Sequence, residues 1–209
     1  MIFAVIASTH VAAHNILDYG ATETAFDLAT ETLNSYAIHR AILAANSTDN
    51  DDRKVMIPAG KIFSSLPIPA IEGIANVDIV IDGTLLVSKD FESYKADLVK
   101  WRNPTDLYVI EEFLTFRDCE NITFSGTGKI DGQGYMWWVR EWLQKNPLGR
   151  PKILRIATSR NIEFTGIKVM NGPYYHLHFY DVDNVYFHDF EIEVDVMGQL
   201  ELSEILHGH

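Results

Sequence analysis

Cysteine occurs once in the 209 residues, at Cys119, which excludes an internal disulfide framework. Basic residues are scarce as well: 17 Lys and Arg stand against 29 Asp and Glu, for a net charge of −12. Nucleic acids and anionic membrane surfaces need clustered Lys and Arg, so neither is expected as a partner. No run approaches the roughly 20 apolar residues that span a bilayer. No low-complexity linker divides the chain, so one domain is expected. What the chain does have is material for a core, since 47% of its residues are hydrophobic.

That material is arranged periodically. Asn76-Val-Asp-Ile-Val-Ile, Asn121-Ile-Thr-Phe, Asn161-Ile-Glu-Phe and Asn184-Val-Tyr-Phe each open with Asn and a β-branched residue, at offsets of 45, 40 and 23. The last offset equals one turn of a parallel β-solenoid. The earlier two fit two turns, or one turn plus an insertion. Short strands at such spacing read as stacked coils that share a continuous core. The expected fold is therefore all-β, a right-handed single-stranded parallel β-helix over residues 14–196. Its long groove suits a polymer.

Local signals fill in the frame. Ile38, Ala41, Ile42 and Ala45 lie at i, i+3, i+4 and i+7, so a capping helix is expected from about Ser35 to Ala45 with Asn34 or Ser35 as its N-cap. Lys54-Val-Met-Ile-Pro-Ala-Gly60 is a strand closed by Pro and Gly. Asn76 to Val87 is a strand pair broken at Asp82-Gly83, and Lys89 to Leu107 is an insertion without strand rhythm. Met1 to Ala13 resembles the tail of a secretory signal, with an apolar run of about seven residues and Val11-Ala-Ala13 as a small-residue cleavage site, which would make the protein extracellular. An ordinary first strand is the other reading. Asn46-Ser-Thr in a polar loop and Asn121-Ile-Thr buried in a repeat turn match the N-glycosylation tripeptide.

The coils can be registered by hand. Phe113-Leu-Thr-Phe116, Ile153-Leu-Arg-Ile156 and His176-Leu-His-Phe179 precede the Asn-led strands. Side chains alternate faces. With Leu114, Leu154 and Leu177 inward, the outward column reads Thr115, Arg155, His178, and Phe113, Ile153, His176 lie beside it. Arg155, His176 and His178 are expected to cluster on an exposed face as a patch for sugars or carboxylates, with Tyr174 and Tyr175 leading into it. The competing expectation is that Arg155 pairs with an acid such as Glu163.

These residues also carry a resemblance. Asn15-Ile-Leu-Asp-Tyr-Gly-Ala, the cap helix and Val55-Met-Ile-Pro-Ala-Gly60 resemble the start of the pectin-lyase-like β-helix superfamily. Further similarity comes from Asp82-Gly-Thr-Leu-Leu, Gly126-Thr-Gly-Lys-Ile-Asp-Gly-Gln-Gly134 with Trp137-Trp138, Arg150-Pro-Lys-Ile-Leu-Arg155 and Asn171-Gly-Pro-Tyr-Tyr-His-Leu-His178. Together they are similar to glycoside hydrolase family 28, the polygalacturonases. The resemblance implies a secreted, monomeric enzyme that hydrolyses α-1,4 galacturonan by inversion, without a metal or other cofactor, on a pectic polysaccharide substrate.

The resemblance covers only the N-terminal half of such an enzyme. The family carries its chemistry on later coils, in Asn-x-Asp, Asp-Asp, Gly-His-Gly and Arg-x-Lys elements. After Glu193-Val-Asp-Val196 the chain continues through a divergent tail, 197–209, without them. No catalytic residue can be carried over, and the 209-residue form is expected to be inactive. Leu202, Ile205 and Leu206 are expected to act as an improvised cap on the open end.

Other carboxylates do not replace the missing ones. An inverting pair needs an acid and a base about 6.5–9.5 Å apart around a water. Asp181 and Asp183 sit in a corner, Glu191, Glu193 and Asp195 line a solvated strand, and Asp131 occupies a Gly-rich turn, so all are expected to be structural. His176 and His178 share a face, but no further ligand completes a metal set. Trp137 and Trp138 are expected to pack the insertion onto the wall. A non-catalytic polysaccharide-binding solenoid and a calcium-dependent pectate lyase are the alternatives.

Overall fold

The computed structural model describes residues 13–23, 25–47, 53–94, 96–99 and 107–196. The signal-like segment apart from Ala13, and the tail 197–209 with its expected cap, lie outside the described residues.

The strands follow the registered repeats. β1 (His14–Asn15) and the helix α1 (Leu28–Ser47) open the chain and are followed by β2 (Lys54–Ile57), β3 (Ile62–Ser65), β4 (Ile71–Glu72), β5 (Ala75–Ile81) and β6 (Thr84–Val87). β7 (Ala96–Val99) and β8 (Leu107–Ile110) come next, then β9 (Leu114–Arg117), β10 (Glu120–Ser125), β11 (Lys129–Asp131) and the helix α2 (Tyr135–Trp142). β12 (Leu154–Thr165), β13 (Lys168–Met170), β14 (Leu177–His188) and β15 (Glu191–Glu193) complete the order.

Three parallel faces result. β4, β9 and the first segments of β12 and β14 form one. β1, β2, β5, β10 and the second segments of β12 and β14 form another. β3, β6, β11, β13 and β15 form the third. This is the expected right-handed parallel β-helix. Asn76 and Asn121 stand on adjacent coils, so the long offsets are one turn plus an insertion. The first insertion includes β7 and β8, which pair antiparallel with each other and so leave no solenoid rhythm in the sequence.

Each corner between the first two faces is turned by two residues in the left-handed region, three positions apart. The pairs are Gly73 and Asn76, Asp118 and Asn121, Thr158 and Asn161, and Asp181 and Asn184, with φ between 48° and 67°. Asn and Asp tolerate that region, which explains the sequence signature. The asparagines also bond one another. Nδ2 of Asn121 donates to Oδ1 of Asn76 at 2.8 Å, Asn161 to Asn121 at 2.9 Å and Asn184 to Asn161 at 3.0 Å. At the next corner Gly126 has φ +119°, and a Cβ there would lie 2.3 Å from the Ile81 carbonyl oxygen, so no side chain fits.

Inside, aromatic rings stack along the axis. Phe124 lies on Phe164 with centroids 4.9 Å apart, and Phe164 on Phe187 at 5.1 Å, both nearly parallel. Phe164 is fully buried, whereas Phe187 on the last described coil is 46% exposed.

α1 covers the first coil, with Ile38, Ala41, Ile42 and Ala45 buried as expected. It begins earlier than periodicity suggests. Asp27 accepts the backbone N–H of Thr30 at 2.8 Å and the Thr30 hydroxyl, which caps the first turn. Asn34 is instead a buried bridge: its amide joins both backbone groups of Thr22 and the Ser64 carbonyl. Glu31 ties the helix to the solenoid, each carboxylate oxygen accepting a hydroxyl at 2.5 Å, one from Ser64 and one from Ser88.

Both glycosylation tripeptides have occupied asparagines. Asn46 lies in the last turn of α1, not in a loop, and its Oδ1 accepts the Ala75 N–H at 3.0 Å. Asn121 is exposed, not buried, but both its amide atoms belong to the ladder.

Candidate functional site

The first face carries the residues singled out from the sequence. Leu114, Phe116, Leu154 and Ile156 are buried, and Thr115, Arg155 and His178 stand side by side in register. The outward column is therefore as expected, but its exposure is not. Arg155 is only 8% exposed and Thr115 6%.

The neighbouring column differs too. Phe113 and Ile153 are fully buried, because the strict alternation of faces begins only after the bend that precedes each strand. His176 occupies the same register position one coil on. Its Nε2 accepts the Gly172 N–H at 3.0 Å, and the ring also hydrogen-bonds the Glu193 backbone. His176 thus closes the turn after β13, while its carbonyl accepts the Leu154 N–H at 3.1 Å beside Arg155.

Tyr174 and Tyr175 form the rim. Their rings lie 4.1 Å apart, and both are about half exposed. Tyr175 stacks over His178 at 6.4 Å, and the Arg150 guanidinium sits 4.8 Å from the Tyr174 ring centroid. The Lys152 ammonium lies 6.0 Å from the same ring. Glu112, 3% exposed, takes both the Lys152 ammonium and the Lys152 N–H at 2.5 Å. Arg150, Lys152 and Glu112 precede the registered strands, so the sequence does not mark them as part of this rim.

Arg155 does not pair with Glu163, which lies 3.9 Å from His188 on the second face. Among the described residues its guanidinium makes no hydrogen bond or ion pair, and Nε is buried without a partner. Nδ1 of His178 is in the same condition. Three of the six candidate acids are otherwise occupied. Asp131 accepts from the Gln133 N–H and from Asn171, and Glu191 and Glu193 both pair with Lys168. Trp137 packs on Phe91 and Tyr94, and the Trp138 indole donates to the Gly172 carbonyl, so the pair does anchor the insertion.

Protonation of this wall opposes folding. Burial lowers the pKa of His176, and burial, Lys152 and Arg155 lower that of His178. The folded chain therefore binds fewer protons than the unfolded one near the ordinary value of 6.5. Stability is full above that pH and falls below it. The melting temperature should drop between pH 7 and pH 5, and His176→Gln should make that drop shallower. An identical slope in the two proteins would remove His176 from the account.

Comparison with known proteins places the fold in a family. The chain is 28% identical over 155 residues to polygalacturonase QRT2 of Arabidopsis thaliana, covering 68% of this chain and 34% of that one. It is 28% identical to exopolygalacturonase rpg16 of Rhizopus delemar, covering 66% and 31%. The chain thus spans about a third of the length of these curated relatives. Among solved structures, an exopolygalacturonase from Thermotoga maritima superposes with a TM-score of 0.66 at 23% identity, over 86% of this chain and 46% of that one. Endo-xylogalacturonan hydrolase from Aspergillus tubingensis gives 0.65 at 18% identity, over 85% and 44%. Residues 50–197 match the sequence model of glycosyl hydrolases family 28, and the chain belongs to that family.

Proposed function

We propose that this chain is part of a secreted, polygalacturonase-type glycoside hydrolase acting on pectic polysaccharide, and that it supplies substrate-binding wall rather than catalytic groups. The family match carries the reaction class. The reading of the wall rests on Arg155, His178, Tyr174 and Tyr175, which gather donors and exposed rings on one face. His176 holds the turn that presents them. The chemistry would be inverting hydrolysis of α-1,4 galacturonan without a metal or cofactor, by a monomer.

Asp131, Glu191 and Glu193 are held in hydrogen bonds and ion pairs and Asp181 serves a left-handed corner, which supports inactivity of the 209-residue chain alone. The same observation favours a second reading, a polysaccharide-binding solenoid with no enzymatic role. Incubation with polygalacturonate, read by reducing-end release and by retardation in gels containing the polymer, tests both. Retardation without new reducing ends is expected. Release of reducing ends would refute the inactivity, an unsaturated product absorbing in the ultraviolet would point to a lyase, and absence of retardation would remove the binding wall. Sequencing the transcript across the codons for Val194 to His209 separates the first reading from the second. A frame that runs on into the Asn-x-Asp, Asp-Asp, Gly-His-Gly and Arg-x-Lys elements makes the chain part of an enzyme.

A further inference from the structure

Arg155 is a buried cation for which the described residues supply no counter-charge. The nearby acid Glu112 is saturated by Lys152 through both carboxylate oxygens, and Glu163 lies by His188. Such a group is costly unless an anion or ordered water meets it. Beside it in register, His178 offers a buried nitrogen that is also without a partner. Lys152 and Arg155 both act on His178 electrostatically, so this corner is positive within a chain of net charge −12. Tyr175 covers His178 and continues into the exposed ring of Tyr174, a surface of the kind on which the apolar face of a sugar can rest.

We propose that Arg155, with His178 beside it, anchors the free carboxylate of an acidic sugar residue, so that this coil distinguishes unesterified from methyl-esterified uronan. The assignment rests on the pectic-polymer reading above. A guanidinium fork matches a carboxylate with two parallel, charge-assisted hydrogen bonds. A methyl ester carries no charge and replaces one acceptor by an alkoxy oxygen. A neutral sugar in the same place would leave the guanidinium uncompensated.

Calorimetric titration of the 209-residue chain with trigalacturonate and with its fully methylated ester tests this directly. The acid should bind about tenfold more tightly than the ester or better, as expected for charge-assisted hydrogen bonds. In Arg155→Gln, affinity for the acid should fall to that for the ester, with the ester unchanged. Wild-type affinity for the acid in Arg155→Gln, or equal affinity of the wild type for acid and ester, overturns the assignment and leaves the pectic reading standing. If the wild type binds neither, both fail. The Nε–H resonance of Arg155 in the unmodified chain gives a readout independent of any variant's folding. It should move on titration with the acid and stay fixed with the ester, and a fixed resonance while backbone amides report acid binding would also overturn the assignment.

Discussion

Phe164→Ala should destabilise the protein by about 3–5 kcal/mol, while Phe187→Ala should cost about 1 kcal/mol. The two rings have the same chemistry, occupy the same stack and differ by one coil. Phe164 is fully enclosed, with Phe124, Phe187, Phe190 and Phe179 at 4.9, 5.1, 5.4 and 6.1 Å. Its deletion removes the ring's transfer free energy and leaves a cavity that neighbours on two adjoining coils cannot close. Phe187 is 46% exposed and has a coil on one side only among the described residues. Because each coil in a solenoid is stabilised mainly by its immediate neighbours, the difference reads the packing directly. Urea titrations followed by circular dichroism supply the comparison. A cost for Phe187→Ala as large as that for Phe164→Ala would mean that the ring is covered in solution.

Where residues repeat at the coil period, the fold was legible in the sequence. The Asn-led strands fixed which positions stack, and Leu114, Leu154 and Leu177 fixed which point inward. What escaped was held together by single contacts without a period. The start of α1 depends on one Asp27 side chain reaching Thr30, and Asn34, expected as a cap, is committed to Thr22 and to Ser64 on β3. Among the described residues β7 and β8 form a separate antiparallel sheet and so leave no mark in the repeat.

Legibility of the candidate site divides along the same line. Placing Arg155 beside His178 required only register, and the structure has them paired. Burial of Arg155 has no signature in the repeat, and the pairing of Lys152 with Glu112, which stands 40 residues before it, lies outside the registered strands. The inward position of Phe113 and Ile153 is not legible, because the period of two does not extend back through a bend. Tyr174 and Tyr175 were marked by their place before the histidines, but the cations beneath Tyr174 come from the preceding segment, Arg150 and Lys152.

The asparagine ladder makes the second large prediction. Asn161 is an interior rung: its Nδ2 donates to Asn121 and its Oδ1 accepts from Asn184, while the backbone stands at φ 56°. Asn161→Ala removes two hydrogen bonds and forces a Cβ without a compensating polar group into the left-handed region. Each rung near solvent is worth about 0.5–1 kcal/mol and the conformation costs alanine about 1–2 kcal/mol, so a total loss of about 2–4 kcal/mol is expected. Asn161→Gly keeps the backbone free to adopt that φ and should lose mainly the two rungs. Asn184, with a single rung among the described residues, should lose least when replaced by glycine. The order Asn161→Ala, then Asn161→Gly, then Asn184→Gly, measured as shifts in the urea midpoint, separates the backbone contribution from the side-chain one. Equal losses for the two glycine variants would show that the rungs add nothing and that asparagine is required at these corners for its backbone alone.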